Sequence, residues 1–281
     1  MSMKKGNSTL HKSRKFGFTL AEVFCPLRKS KRAAFTLAEV LITLGVIGVV
    51  AAITMPSLIQ NHQKKEIVTR LKQTYSIISQ AMTMAQAANG EMMYWGADDM
   101  NGEIYYNAET GETFEGSTGD FINNFTDTYF KPYIKYVKDY GIMNSFSVYG
   151  EGNRVSFSDG SEGGYGYGRY IALTNGALVN IFVGSSGCQA ELDENGKCTE
   201  DQTFTGIFFK VDVNGLKKPN IHGKDIFIVK LDASNNKVVM QNYAETRAKT
   251  RAICSTNDGS QVCGALIQMD GWQFAPDYPY W

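Results

Sequence analysis

The apolar run from Phe35 to Ile59 constrains this chain more than any other feature, because its single charged residue is Glu39. Roughly 20 apolar residues rising 1.5 Å each cross a hydrocarbon core of about 30 Å. The run therefore predicts a membrane-spanning helix over 35–59. The bases Arg28, Lys29, Lys31 and Arg32 precede it. By the positive-inside rule the N-terminus is expected in the cytoplasm and everything after Ile59 outside. On hydropathy alone such a segment reads as a signal anchor or an uncleaved secretory signal.

The string Phe-Thr-Leu-Ala-Glu-Val occurs twice, at Phe18–Val23 and at Phe35–Val40. Cys25, Pro26 and the four bases follow the first copy. Each base at mid-membrane costs about 2.5–3.5 kcal/mol, so the first copy cannot insert. It belongs to a basic leader over 1–34. Of the chain's 28 Lys/Arg and 28 Asp/Glu, that leader holds nine and one, which leaves a body with eight acids in excess. Such a body has no general attraction for nucleic acid, and none is indicated as a partner. Cys25 lies in the leader, where it would be cytoplasmic and would be lost with any removal of that leader.

An acid five residues into an apolar run is a functional hypothesis in its own right. No Lys or Arg lies between Phe35 and His62 to pair with Glu39. If the bond before Phe35 were cut, a new α-amino group would appear four residues upstream. A neighbouring subunit's amine could then pair with Glu39 and set the axial register of a helix bundle.

The segment KRAAFTLAEVLITLGVIGVVAAITMPSLIQNHQKK resembles the signal peptide and N-terminal helix of type IV pilins and type II secretion pseudopilins. The features that match are the basic leader, the small Ala34 before Phe35, the core containing Glu39, Gly45 and Gly48, and Pro56 within the helix. The resemblance implies cleavage after Ala34 by a prepilin peptidase and N-methylation of Phe35. It implies assembly through Glu39, Gly45, Gly48 and Pro56 with other pilin or pseudopilin subunits, at an inner-membrane assembly platform and in contact with membrane lipid. Before assembly the chain would be a single-pass inner-membrane protein with an exported head. The family prefers Gly before the cut, where this chain has Ala34, and Gly17 precedes the upstream copy. Cleavage at Gly17 would place Cys25–Arg32 at the start of the membrane helix, so the second copy is read as the working one.

Beyond Pro56, which is expected to kink the helix, Ile67, Leu71, Tyr75 or Thr74, Ile78, Met82 and Ala85 form one stripe of an amphipathic continuation over 60–90. Asn89-Gly90 is a stop signal. Residues 91–153 read as a variable region of helix and loop, with Phe121, Phe125 and Tyr129 at helical spacing until Pro132. From 154 to 281 the period is that of strands, and Asn175-Gly176 predicts a type I′ hairpin turn. The expected fold is α+β: a long N-terminal helix packed on a small antiparallel sheet, the pilin-like roll of the resemblance.

Cys188, Cys198, Cys254 and Cys263 all lie on the exported side, where disulfides persist, and four cysteines permit three pairings. The sequential pairing closes two short loops. Asp212, Asn214, Asn220 and Asp225 cluster around Gly215 and Gly223, an oxygen-rich set suited to calcium, although a plain Asp/Asn turn has the same composition. Zinc has no CxxC spacing to support it. The motifs HExxH, GxSxG and the P-loop are missing from the sequence, so the expected role is structural and not enzymatic: a subunit of a type IV pilus or a type II secretion pseudopilus. The alternatives are a minor pilin with a head that binds a ligand, surface or DNA, and a single-pass anchored enzyme or receptor.

Overall fold

The computed structural model describes residues 36–95, 104–106, 113–115, 118–150, 154–157, 159–163, 166–186, 204–242, 244–256 and 258–281. Ala34 and Phe35 lie outside the described residues, as do Cys188 and Cys198. The chain divides into two compact units, 1–53 and 54–281, and helix α1 (Leu37–Asn89) contributes to both.

In the first unit α1 is apolar on every side. Leu37, Leu41, Ile42, Leu44, Ile47 and Ile53 are all largely exposed, the pattern of a helix made for a non-aqueous surrounding. By length and composition α1 is able to cross a membrane. Thr43 Oγ1 donates to the Val40 carbonyl at 3.0 Å, so even the hydroxyl is satisfied by the helix itself.

In the second unit α1 continues through Pro56 and buries a stripe of Val68, Leu71, Thr74, Ile78, Ala81, Met82 and Ala85. Thr74, not Tyr75, occupies the inward position, and Val68 replaces Ile67 there. The reason is local. Thr74 Oγ1 donates back to the Arg70 carbonyl and accepts from Asn175 Nδ2, both at 2.9 Å, so its polarity is covered inside the core. Tyr75 lies at the edge and donates to the Val238 carbonyl at 2.9 Å. The helix ends at Asn89, where Gly90 takes φ 83° and donates to the Gln86 carbonyl.

After a short hairpin of β1 (Ile104–Tyr106) and β2 (Thr113–Glu115) come α2 (Thr118–Phe125) and a π-helical turn. Six antiparallel strands then follow in chain order: β3 (Tyr136–Met143), β4 (Gly168–Leu173), β5 (Leu178–Ser186), β6 (Phe204–Asp212), β7 (Ile226–Asp232) and β8 (Lys237–Met240). The sheet thus starts earlier than its sequence period announces. β3 escapes the pattern because it contains Lys138, Asp139 and Gly141 and breaks register twice against β4. Between β3 and β4 lies α3 (Ser145–Tyr149), and beyond β8 come α4 (Arg247–Cys254) and α5 (Cys263–Met269).

The α1 stripe shares one core with Ile171, Val179, Phe209 and Val229 of the sheet and with Leu266 of α5. Trp95 stacks on Tyr129 at 4.3 Å between ring centroids in the same core. The C-terminal aromatics join it too: Tyr278 is buried and donates to the Gly223 carbonyl, and Trp272, Phe274 and Trp281 pack alongside. A second, smaller core on the other sheet face gathers Val148, Tyr149, Val155, Tyr170, Leu178 and Ile226.

The hairpin at Asn175-Gly176 forms, but not as a type I′ turn. Only Gly176 has positive φ, at 88°, and Thr174 and Asn175 do not. Gly176 N donates to the Leu173 carbonyl at 3.1 Å and Leu173 N to the Ala177 carbonyl at 2.9 Å. That is a type I turn closed by a glycine bulge. Asn175 is held out of the left-handed region by its side chain, which bonds Thr74 and the Ala177 amide.

Candidate functional site

The N-terminus of α1 carries Glu39, and the structure gives it a partner that is not a cation. Thr36 N and Thr36 Oγ1 donate to Glu39 Oε2 at 2.8 and 2.9 Å, while Glu39 N donates to Thr36 Oγ1 at 3.2 Å. This is a capping box, which satisfies backbone donors at a helix start. Its signal, Thr-x-x-Glu before an apolar run, is present in Thr36–Glu39 and identifies Thr36 as the residue missed from sequence. Both side-chain bonds converge on Oε2, so Oε1 keeps its acceptor capacity among the described residues. Gly45 and Gly48 lie on the same helix, and a Cβ at either would meet nothing within 4 Å. Their bare backbone is open to close approach by another helix.

In the second unit the four residues considered for calcium form one knot between β6 and β7. Asp212 closes β6 and accepts from Tyr149 Oη at 2.9 Å and from Asn214 N at 3.2 Å. Asp225 accepts from Asn220 N at 2.9 Å, Ile221 N at 2.6 Å and Asn214 Nδ2 at 3.0 Å. The tight path needs positive φ at Asn220 (51°), Gly215 (72°) and Gly223 (79°). Burial pushes the Asp212 carboxyl well up, and the charge of Asp225 adds to it; burial pushes Asp225 up as well. No salt bridge joins either acid to a cationic side chain among the described residues. Asn214 Oδ1 is a buried oxygen without a hydrogen-bond partner in the same knot. Two buried carboxyl groups and a spare amide oxygen are the kinds of donor that a hard cation takes.

Cys254 and Cys263 form a disulfide that ties α4 to the start of α5 across a sequence separation of 9, and both are fully buried. Replacing both with alanine is expected to lower stability by about 2–3 kcal/mol, the loop-entropy value for so short a ring. Denaturant titration of the double variant against the oxidised parent measures it, and equal midpoints would contradict it. Among the described residues no group of three His, Cys, Asp or Glu side chains is placed to hold a metal.

Residues 57–281 match the Family of unknown function (DUF6613). The chain belongs to that family. In this DUF6613 member, residues 29–55 also match the prokaryotic N-terminal methylation motif, the signature of type IV pilins and pseudopilins. The motif ends just before Pro56 and the DUF6613 match begins just after it. The DUF6613 chain is therefore pilin-like, with an apolar helix suited to membrane anchoring. No curated protein matches it, and no solved structure does.

Proposed function

We propose that this chain is a structural subunit of a type IV pilus or a type II secretion pseudopilus. A prepilin peptidase cuts it after Ala34, Phe35 is N-methylated, and the apolar half of α1 packs with other subunits at the inner-membrane assembly platform. The observation that carries the reading is the exposed apolar helix start within the methylation motif, where Glu39 keeps one carboxylate oxygen uncommitted. An α-amino group freed from a neighbour at Phe35 would meet that oxygen. Before assembly the N-terminus is cytoplasmic and the head is exported. Shearing of cells tests the reading: the trimmed chain is expected in the filament or pseudopilus fraction. Full-length chain confined to the membrane would contradict it.

In the head, Asp212, Asn214, Asn220 and Asp225 hold calcium in this proposal. The ion supplies positive charge to two buried carboxylates. Both acids are shifted upward, so their ionisation costs stability as pH rises past the usual carboxylate range, and calcium offsets that cost near neutral pH. At a hundredfold excess over its Kd, calcium should add about 2.7 kcal/mol. Thermal melts of the whole chain in detergent are expected to shift upward with calcium at pH 7. A midpoint unmoved by calcium would end this part of the proposal.

A further inference from the structure

Asn180 of β5 stands directly opposite Lys210 of β6 in the antiparallel register, and Tyr170 of β4 stands opposite Asn180 on its other side. Such partners project from the same sheet face with Cβ atoms roughly 4.5–5.5 Å apart. Here that face is the one bearing Tyr170 and Leu178, away from the α1 stripe. Chain around Gly166 and Gly168 closes over the trio. A Cβ on Gly166 would lie 3.0 Å from Lys210 Nζ, 3.0 Å from Tyr170 Oη and 3.3 Å from Asn180 Nδ2, and one on Gly168 would collide with Asn180 Oδ1. The amine and the amide therefore crowd one spot, and only glycine fits above them. Asn180 is 1% exposed. Its Nδ2 donates to the Gly166 carbonyl at 3.0 Å, while its Oδ1 has no hydrogen-bond partner among the described residues.

We propose that Lys210 and Asn180 join in an isopeptide bond that staples β5 to β6. The neutral Lys210 Nζ attacks Asn180 Cγ, a C–N bond forms, and the Cγ–Nδ2 bond breaks. Nδ2 takes a proton originating from the attacking amine and leaves as ammonia. Atoms balance without an oxidant, a reductant or any cofactor. Strand register supplies proximity, which replaces a bimolecular encounter.

Further polar groups lie around the pair. No carboxylate forms a salt bridge with Lys210 among the described residues, so no ion pair holds its amine away from the amide. His222 is buried, and its Nδ1 has no hydrogen-bond partner among the described residues. The Tyr170 hydroxyl lies at the same spot and donates to the Gly166 carbonyl at 2.5 Å, the same oxygen that accepts from Asn180 Nδ2.

The test is peptide mapping of the whole purified chain, reduced and digested with trypsin. The expected product is a branched pair, the Asn180 peptide joined through Lys210, lighter by one ammonia than the two linear peptides together, with no cleavage after Lys210. In Lys210→Arg the Asn180 peptide is expected to be linear. Recovery from the parent chain of linear Asn180 peptide and of cleavage after an unmodified Lys210 would overturn the proposal. So would linkage of Asn180 to another lysine. The parent map decides the question even if the variant fails to fold.

Discussion

Glu39→Gln is expected to remove the chain from assembled filaments while leaving it in the membrane. The substitution separates two roles that alanine would abolish together. Glutamine at this place in a capping box still bonds back to the helix start, so the Thr36 contacts seen for Glu39 survive. What glutamine lacks is charge, and charge is what a neighbour's α-amino group would seek at Oε1. Glu39→Ala should fail to assemble as well, and in addition it should fray the first turn. Membrane insertion should be unimpaired or improved in both, because each removes a carboxylate from an apolar helix. Quantifying sheared and membrane fractions for the three chains reads the result. If the glutamine variant assembles like the parent, capping accounts for Glu39 entirely and pairing between subunits does not.

Arg169→Ala is expected to cost the head about 3 kcal/mol, the lower end for stranding a buried charge. Arg169 opens β4 with its side chain 9% exposed. Its guanidinium reaches Asp139 at 2.6 and 3.2 Å and Asp127 at 2.9 Å through two nitrogens. Lys131 bridges the same two acids at 3.0 Å each. Asp127 is half exposed, so solvent screens part of the loss, which is why the lower figure applies. Asp139 is more enclosed, and removing Arg169 leaves Lys131 as its cation among the described residues.

The pH dependence has a definite sign. Burial alone would push the Asp139 carboxyl up, but hydrogen bonds from Arg169, the Gly141 amide and Lys131 hold it well below the usual carboxylate range. Its contribution is complete above an unfolded value of about 4 and is lost as pH falls toward the depressed folded value. The alanine variant should be less stable at pH 7 and flatter in its dependence between about pH 4 and pH 2. Denaturant melts across that range check both. A loss under about 1 kcal/mol, the size of an exposed pair, would contradict the account.

These two sites differ in how far the sequence announces them. Glu39 is conspicuous because lipid excludes acids, and its partner Thr36 is three residues away in a recognisable spacing. The α1 stripe is legible because burial on one face imposes a period, whereas strands β4 to β7 are buried on both faces and show as nearly continuous apolar runs. Arg169, by contrast, meets acids 42 and 30 residues upstream, and no local pattern marks a charge for burial. Tyr149 and Asp212 are 63 apart, so their hydrogen bond depends on how α3 folds over the sheet. The Asn175-Gly176 turn is an intermediate case. Its position follows from composition, but its type follows from Thr74, a residue of another element. The grouping of Asp212, Asn214, Asn220 and Asp225 is visible as a run of short polar side chains around glycines. That backbone amides supply most of their contacts is not visible there, because backbone donors leave no mark in composition.

The most direct measurement is mass spectrometry of the N-terminal peptide of the native protein. A first residue of N-methylated Phe35 is the predicted result. A chain beginning at Met1, or at Phe18 with Cys25 and the four bases retained, would contradict it.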